Sequence, residues 1–225
     1  MNDWKNMRAI LLDLDDTLLD DQYASSQALT AFIDANKAML PDLNQADLFR
    51  HWREVSKKYW QQFERGELSF LEQRRQRVQA FLGQELSGQA ADDAFLPYLI
   101  TYENSWRCFP EVADFFALTK DIPKVIITNG DREQQQYKTK KMNLDFHVNA
   151  VITPMDCNYW KPAHGIFQFA LDRLGVKAAD AAMIGDCLIR DIRPAQELGM
   201  RTFQIEPHHP GKNLISALEE LGLIT

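Results

Sequence analysis

Positive charge is scarce in this sequence. Its 225 residues carry 25 Lys and Arg against 32 Asp and Glu, a formal net charge of −7. That balance disfavours sequence-independent binding to nucleic-acid polymers and to anionic membrane surfaces. Cysteine is scarcer still. Cys108, Cys157 and Cys187 are odd in number, scattered and without metal-ligand spacing, so neither a disulfide framework nor a thiolate metal site is expected. Free thiols point to a reducing compartment, and the expected location is the cytoplasm. No apolar run is long enough to span a bilayer. Residues 1–5 do not read as a secretory leader, because no apolar stretch precedes a small-residue cleavage site. Internal repeats and low-complexity segments are also missing.

What the chain does have is a set of short apolar runs ending in chemically useful residues. The runs Ala9–Leu12, Val125–Ile127, Val148–Ile152 and Ala181–Ile184 are near-continuous rather than alternating, the pattern of strands buried on both faces, and Arg201–Ile205 reads as a fifth strand. Helical patterns at 133–142, 166–174 and 189–198 separate the later ones. Strand and helix in alternation predict an α/β fold, a parallel sheet with helices on both faces and ligands beyond the carboxyl ends of the strands. Between the first two runs the pattern is helical throughout. Leu48, Trp52, Val55, Tyr59 and Phe63 form an amphipathic stripe, and Gly66 and Gly83 mark helix ends. Four such helices exceed one crossover, so residues 20–106 are expected to form a separate helical module inserted into a core of 1–19 and 107–225.

The first strand runs into Asp13-Leu14-Asp15-Asp16-Thr17, the second into Thr128-Asn129-Gly130, and the fourth into Asp186, with Asp191 five residues on. Lys161 precedes Pro162 in a loop that opens a helix. Carboxylates gathered in one cleft repel one another and call for a cation. Oxygen-only ligands favour a hard ion such as Mg²⁺. Lys161 is placed to hold a phosphate oxygen together with the Asp13 carboxylate. Thr128 and the N–H groups around Gly130 are placed to cradle phosphate oxygens at a helix start. The chemistry consistent with this set is phosphoryl transfer to an aspartate. Asp13 attacks phosphorus, and Asp15 protonates the leaving alcohol and then activates water.

In order along the chain, Asp13-Leu14-Asp15-Asp16-Thr17-Leu18, Thr128-Asn129-Gly130, Lys161-Pro162 and Gly185-Asp186 with Asp191 resemble the four signature motifs of the haloacid dehalogenase superfamily. The resemblance implies a Rossmann-like three-layer core with an α-helical cap between the first two motifs. It implies that Asp13 is nucleophile and metal ligand, and that Asp15 is the acid/base and lends its backbone carbonyl to Mg²⁺. Thr128, Asn129, Gly130 and Lys161 are then assigned to the phosphoryl group, Asp186 to the metal, and Asp191 to its support. Trp60, the turn 63–68 and the Arg-rich helix after it resemble the YjjG-like branch, which includes pyrimidine 5′-nucleotidases and N-acylneuraminate 9-phosphatases. Asn158-Tyr159-Trp160 precedes Lys161 where a glycine is more usual in the family, and the bulk of Trp160 is expected to narrow the cleft.

Plainer readings stand beside these. Arg74 and Arg75 fall on a stripe with Leu71 and Val78. A salt bridge between helices is the favoured reading over contact with substrate. Trp52, Tyr59 and Trp60 have the spacing of core aromatics rather than of a base-stacking platform. Asp191 has a structural alternative as partner of Arg190 or Arg193. His208 and His209 are expected in solvent. The leading expectation is a Mg²⁺-dependent phosphatase acting on a small soluble phosphate ester, a nucleoside monophosphate or sugar phosphate, as a monomer or homodimer. A phosphomutase, a carbon–halogen hydrolase and a non-catalytic binding module are its rivals.

Overall fold

The computed structural model describes residues 7–40 and 42–224. Residues 1–5, read above for a leader, lie outside the described residues. In chain order the elements are β1 (Ala9–Leu12), α1 (Asp21–Ala35), α2 (Gln45–Glu64), α3 (Phe70–Leu82), α4 (Gly88–Asn104), α5 (Val112–Leu118), β2 (Lys124–Ile127), α6 (Arg132–Lys141), β3 (Ala150–Ile152), α7 (Pro154–Cys157), α8 (His164–Leu174), β4 (Ala181–Gly185), a π-helical turn (Leu188–Ile192), α9 (Arg193–Glu197), β5 (Arg201–Gln204) and α10 (Leu214–Glu220). They form two compact units. One ends at Asp21 and resumes at Trp106; the other is Gln22–Ser105.

In the first unit the strands lie in the order β3-β2-β1-β4-β5, every pair parallel. The three central strands are buried along their whole length, which explains their largely apolar sequence; Lys124 at the start of β2 turns its ammonium to the Thr119 and Ile122 carbonyls. Their side chains alternate between two cores. Ile10, Leu12, Ile126, Ala182 and Ile184 pack with Phe115 and Phe116 of α5 and Leu218 of α10. Ala9, Leu11, Val125, Ile127, Ala181 and Met183 pack with Ile166, Phe167, Ala170 and Leu171 of α8 and Ala195 of α9. The result is the expected three-layer architecture. The chain builds outward from β1 to β3 on one side, then crosses to β4 and β5 on the other. The switch between β1 and β4 leaves the crevice where such sheets bind ligands.

One expected helix is divided. Residues 188–198 begin as the π-helical turn and become α9 only at Arg193. Pro194 has no N–H for the carbonyl of residue 190, so a regular α ladder cannot run through it.

The chain leaves this unit and returns to it through a short antiparallel stem. Leu19 bridges Cys108, the Asp20 N–H donates to the Arg107 carbonyl at 3.1 Å, and the Phe109 N–H donates to the Leu18 carbonyl at 3.0 Å. The Arg107 guanidinium closes it on the Asp20 carboxylate at 2.6 Å.

The second unit is a helical bundle whose ends are set by local chemistry. Asn44 caps α2 by accepting from the Asp47 N–H, Ser69 and Glu72 form a reciprocal capping box on α3, and Gly83 ends α3 in the left-handed region at φ 65°. Leu48, Trp52, Val55 and Phe63 are buried, whereas Tyr59 is half-buried. Trp52 sits among Phe32, Phe81 and Tyr98 with ring centroids 5.1–5.3 Å away, so it is core. Trp60 packs on Phe63 and Phe70. Among the described residues no helix is long and apolar enough to cross a membrane.

Candidate active site

The carboxyl ends of the three central strands deliver the site. Asp13 follows β1, its N–H bound to the Ile184 carbonyl at 2.9 Å. Thr128 follows β2 and Asp186 follows β4. Lys161, from the loop before α8, reaches in from the side and is 4 % exposed. Its Nζ donates to Asp13 Oδ1 at 2.5 Å and to Asp191 Oδ1 at 2.6 Å. The second oxygen of Asp191 accepts the Cys187 N–H at 3.0 Å. Asp191 therefore pairs with Lys161 and the strand-end loop. Gly185 makes this approach possible, because a Cβ there would lie 2.7 Å from the Asp191 carboxyl group.

Asp13, Asp186 and Asp191 each bring an oxygen within 4.8 Å of the others. One ammonium among three carboxylates leaves the cluster negative. Burial pushes the Asp13 carboxyl well above its usual range, and Asp191 and Asp186 add to this against the pull of Lys161. Burial raises Asp186 as well, with Asp191 the next cause. Burial works against the Lys161 charge, but Asp13 and Asp191 outweigh it and hold the ammonium protonated. An all-oxygen, net-negative donor set suits a hard divalent cation.

Asp15 stands on a tight turn in which Asp16 takes φ 59° and the Asp16 N–H donates to the Leu19 carbonyl at 2.7 Å. Its carboxylate is held at both oxygens, Oδ1 by Lys138 Nζ at 2.6 Å and Oδ2 by Gln135 Nε2 at 2.9 Å. The sequence reading missed both of these α6 residues. The helix Arg-Glu-Gln-Gln-Gln-Tyr-Lys-Thr-Lys-Lys shows no apolar stripe, yet it buries Gln135, Lys138 and Thr139. The available signal was the i, i+3 spacing of 135 and 138, which puts both on one strip of the helix. Burial works against the Lys138 charge, but Asp15 and Asp21 more than offset it and its pKa is raised.

Thr128, Asn129 and Gly130 have distinct partners. Thr128 Oγ1 accepts from the Gly130 N–H at 3.2 Å and from Gln135 Nε2 at 3.1 Å, which leaves its own proton to donate. The Asn129 carboxamide is committed to the Lys161 backbone: Oδ1 accepts the Lys161 N–H at 2.7 Å and Nδ2 donates to its carbonyl at 2.8 Å. Its side chain thus positions the lysine. Gly130 is required by close approach, since a Cβ would meet the Gln135 amide at 2.0 Å. Trp160, just before Lys161, is half-buried with no hydrogen-bond partner for Nε1. In the helical unit Arg74 and Arg75 both pair with Asp92 of α4, at 3.4 and 2.5 Å. His208 and His209 are exposed.

This geometry has known counterparts. A model of the haloacid dehalogenase-like hydrolase family matches residues 7–199. The chain is 27 % identical over 205 residues to the glyceraldehyde 3-phosphate phosphatase of Methanopyrus kandleri, covering 88 % of this chain and 84 % of that protein. It is 24 % identical over 199 residues to the N-acylneuraminate-9-phosphatase of Homo sapiens, covering 87 % and 80 %. Among solved structures, the HAD-hydrolase YfnB of Bacillus subtilis, bound to magnesium, superposes with a TM-score of 0.79 at 23 % identity, covering 96 % of this chain and 99 % of that one.

Proposed function

The chain belongs to the haloacid dehalogenase-like hydrolase family, and from that premise we propose that it is a phosphatase that passes the phosphoryl group of a small soluble phosphomonoester to Asp13 and then to water. One observation carries the reading. Residues from the ends of adjacent strands meet around Lys161, which binds Asp13 and Asp191 beside the Asp186 carboxyl. Phosphatase relatives aligned over most of the chain support it.

The steps follow from where the side chains are held. Lys161 donates to Asp13 Oδ1 and the Thr17 hydroxyl to Oδ2 at 3.4 Å, which holds the carboxylate in place to attack phosphorus in line. The Lys161 ammonium and the Thr128 hydroxyl are placed to bind phosphoryl oxygens as charge builds on them. Asp15 gives its proton to the departing alcohol. It then takes a proton from the water that opens the aspartyl-phosphate and frees Asp13. Asp13, Asp186 and the backbone carbonyl of Asp15 would hold Mg²⁺, which when bound offsets the negative charge shared by nucleophile and phosphate. Asp191 holds Lys161 in place from the far side.

We assign the choice of substrate to the inserted helical unit, acting as a cap, with its Arg74 and Arg75, and Trp160 of the loop before α8, as the side chains to test. Nucleoside monophosphates and sugar phosphates are the substrate classes proposed. The partner is this small molecule rather than a nucleic-acid polymer or a membrane, and the three free cysteines fit a reducing cytoplasm.

The test is phosphate release from a panel of nucleoside monophosphates and sugar phosphates, with and without Mg²⁺, for wild type and Asp13→Asn. Release that requires both the metal and Asp13 supports the proposal. No release from any member by a folded sample in Mg²⁺ overturns it.

A further inference from the structure

Lys138 is 1 % exposed on a helix that has no apolar stripe. A lysine on such a helix ordinarily keeps its ammonium in water. Here the charge is taken inside and directed at one oxygen of Asp15, while Gln135, one turn earlier, donates to the other. A carboxyl group held at one oxygen can still rotate about its terminal torsion, which is broad and soft. Held at both, its plane is fixed.

We propose that Lys138 and Gln135 are positioning residues that set the orientation of the Asp15 carboxyl for proton transfer to the leaving alcohol. The inference rests on the phosphatase reading and deepens it. Each residue is anchored on its far side. Gln135 Nε2 also reaches Thr128 Oγ1 at 3.1 Å, so the acid and the hydroxyl assigned to phosphate share one amide. The Gln135 backbone is in turn fixed by the Thr139 hydroxyl, which donates to its carbonyl at 2.8 Å. Lys138 Nζ lies 3.4 Å from Asp21 Oδ1 and 5.4 Å from the centroid of the Trp106 ring. Gln135 Oε1 is buried and, among the described residues, without a hydrogen-bond partner. That amide therefore holds its place for the sake of its NH₂ end, and Gly130 makes the room it needs.

A leaving-group comparison separates this role from that of an internal tie that merely keeps α6 seated. An aryl phosphate releases an acidic phenol and needs little help from a proton donor. An alkyl phosphate releases a basic alkoxide and depends on one. The measurement is kcat and KM for p-nitrophenyl phosphate and for an alkyl phosphate that wild type hydrolyses, in wild type, Lys138→Met, Lys138→Arg, Asp15→Asn and the Lys138→Met/Asp15→Asn double variant. With a misplaced acid, Lys138→Met loses about a hundredfold in kcat on the alkyl ester. It loses far less on the aryl ester and keeps its KM. Lys138→Arg recovers part of the loss, and Lys138→Met adds nothing once Asp15 is already Asn. Gln135→Leu repeats the pattern at the other oxygen and stands in if Lys138→Met does not fold.

Equal losses on both esters, a change confined to KM, or full additivity with Asp15→Asn would each overturn the positioning role while leaving the phosphatase reading intact. A wild type inactive on every ester would overturn that reading, and this one with it.

Discussion

Replacing Lys161 with Met tests the electrostatics of the site without reference to turnover. The ammonium makes two contacts, 2.5 Å to Asp13 and 2.6 Å to Asp191. At an effective dielectric near 20, each is worth about 6 kcal/mol in gross Coulomb terms. Most of that is offset by the desolvation of a lysine this deeply buried. What does not cancel is the penalty of leaving its partners behind. Removing one member of a buried pair typically costs about 3–5 kcal/mol, and here the orphaned carboxylates also face Asp186. For a chain of this size that corresponds to a Tm lower by roughly 6–20 °C. The effect carries a pH signature. Without Lys161 the Asp13 carboxyl, already raised by burial, rises further, so the folded variant binds protons that the unfolded chain releases. Its stability therefore falls as pH climbs above the ordinary carboxylate range and recovers on acidification. Urea unfolding followed by circular dichroism in metal-free buffer, at pH 5 and pH 8, measures both effects. Asp13→Asn in the Lys161→Met background should restore much of the loss. A penalty under about 1 kcal/mol at pH 8, or one identical at both pH values, would refute the argument that Lys161 neutralises this cluster.

Four further outcomes are expected. Asp13→Asn alone should stabilise the metal-free protein at pH 8, because an ionised Asp13 is held against its preference in a cluster that stays negative; the advantage should shrink towards pH 4, and thermal melts showing the variant less stable throughout would sink this. Mg²⁺ at a hundred times its Kd should add about 2.7 kcal/mol to wild type and little to Asp186→Asn, read as the shift in urea midpoint. Gly185→Ala forces a Cβ to within 2.7 Å of the Asp191 carboxyl, so it should cost about 1–3 kcal/mol and cut activity; a variant with wild-type turnover would show that Asp191 has room to yield. In the helical unit, Asn36 donates from Nδ2 to the Phe32 and Ala94 carbonyls, and Asn36→Ala should lower the unfolding free energy by about 1–3 kcal/mol without changing Mg²⁺ affinity.

The strands were legible because burial on both faces leaves a mark that needs no partner to read, an unbroken apolar run. The residues at their ends were legible for a related reason. A parallel sheet turns sequence position at a strand end into spatial convergence, so Asp13, Thr128 and Asp186 had to meet. Lys138 and Gln135 left no such mark. Their burial depends on α6 settling against the turn that carries Asp15, a contact more than a hundred residues apart in sequence. The spacing of Arg74 and Arg75 favours a salt bridge between helices, but their partner Asp92 follows only from the pairing of α3 with α4. That the Asn129 carboxamide grips the Lys161 backbone depends on how the loop before α8 returns to the sheet.

The stem formed by residues 18–20 and 107–109 makes the inserted helices interchangeable in principle. Its two strands are already hydrogen-bonded to each other, so the chain departs and returns about one strand spacing apart, roughly 5 Å. An insert of any length must close only that gap, and the entropy of closure rises slowly with length. Asp13 and Asp15 belong to the turn below the stem, and Asp15 draws partners from α6 and Asp13 from the loop before α8. Evolution or a protein engineer can therefore exchange the helical cartridge while the phosphoryl chemistry stays as it is. On the proposed assignment of substrate choice to the insert, one sheet serves many different leaving groups, and grafting another family member's helices between Asp20 and Arg107 would retarget this one.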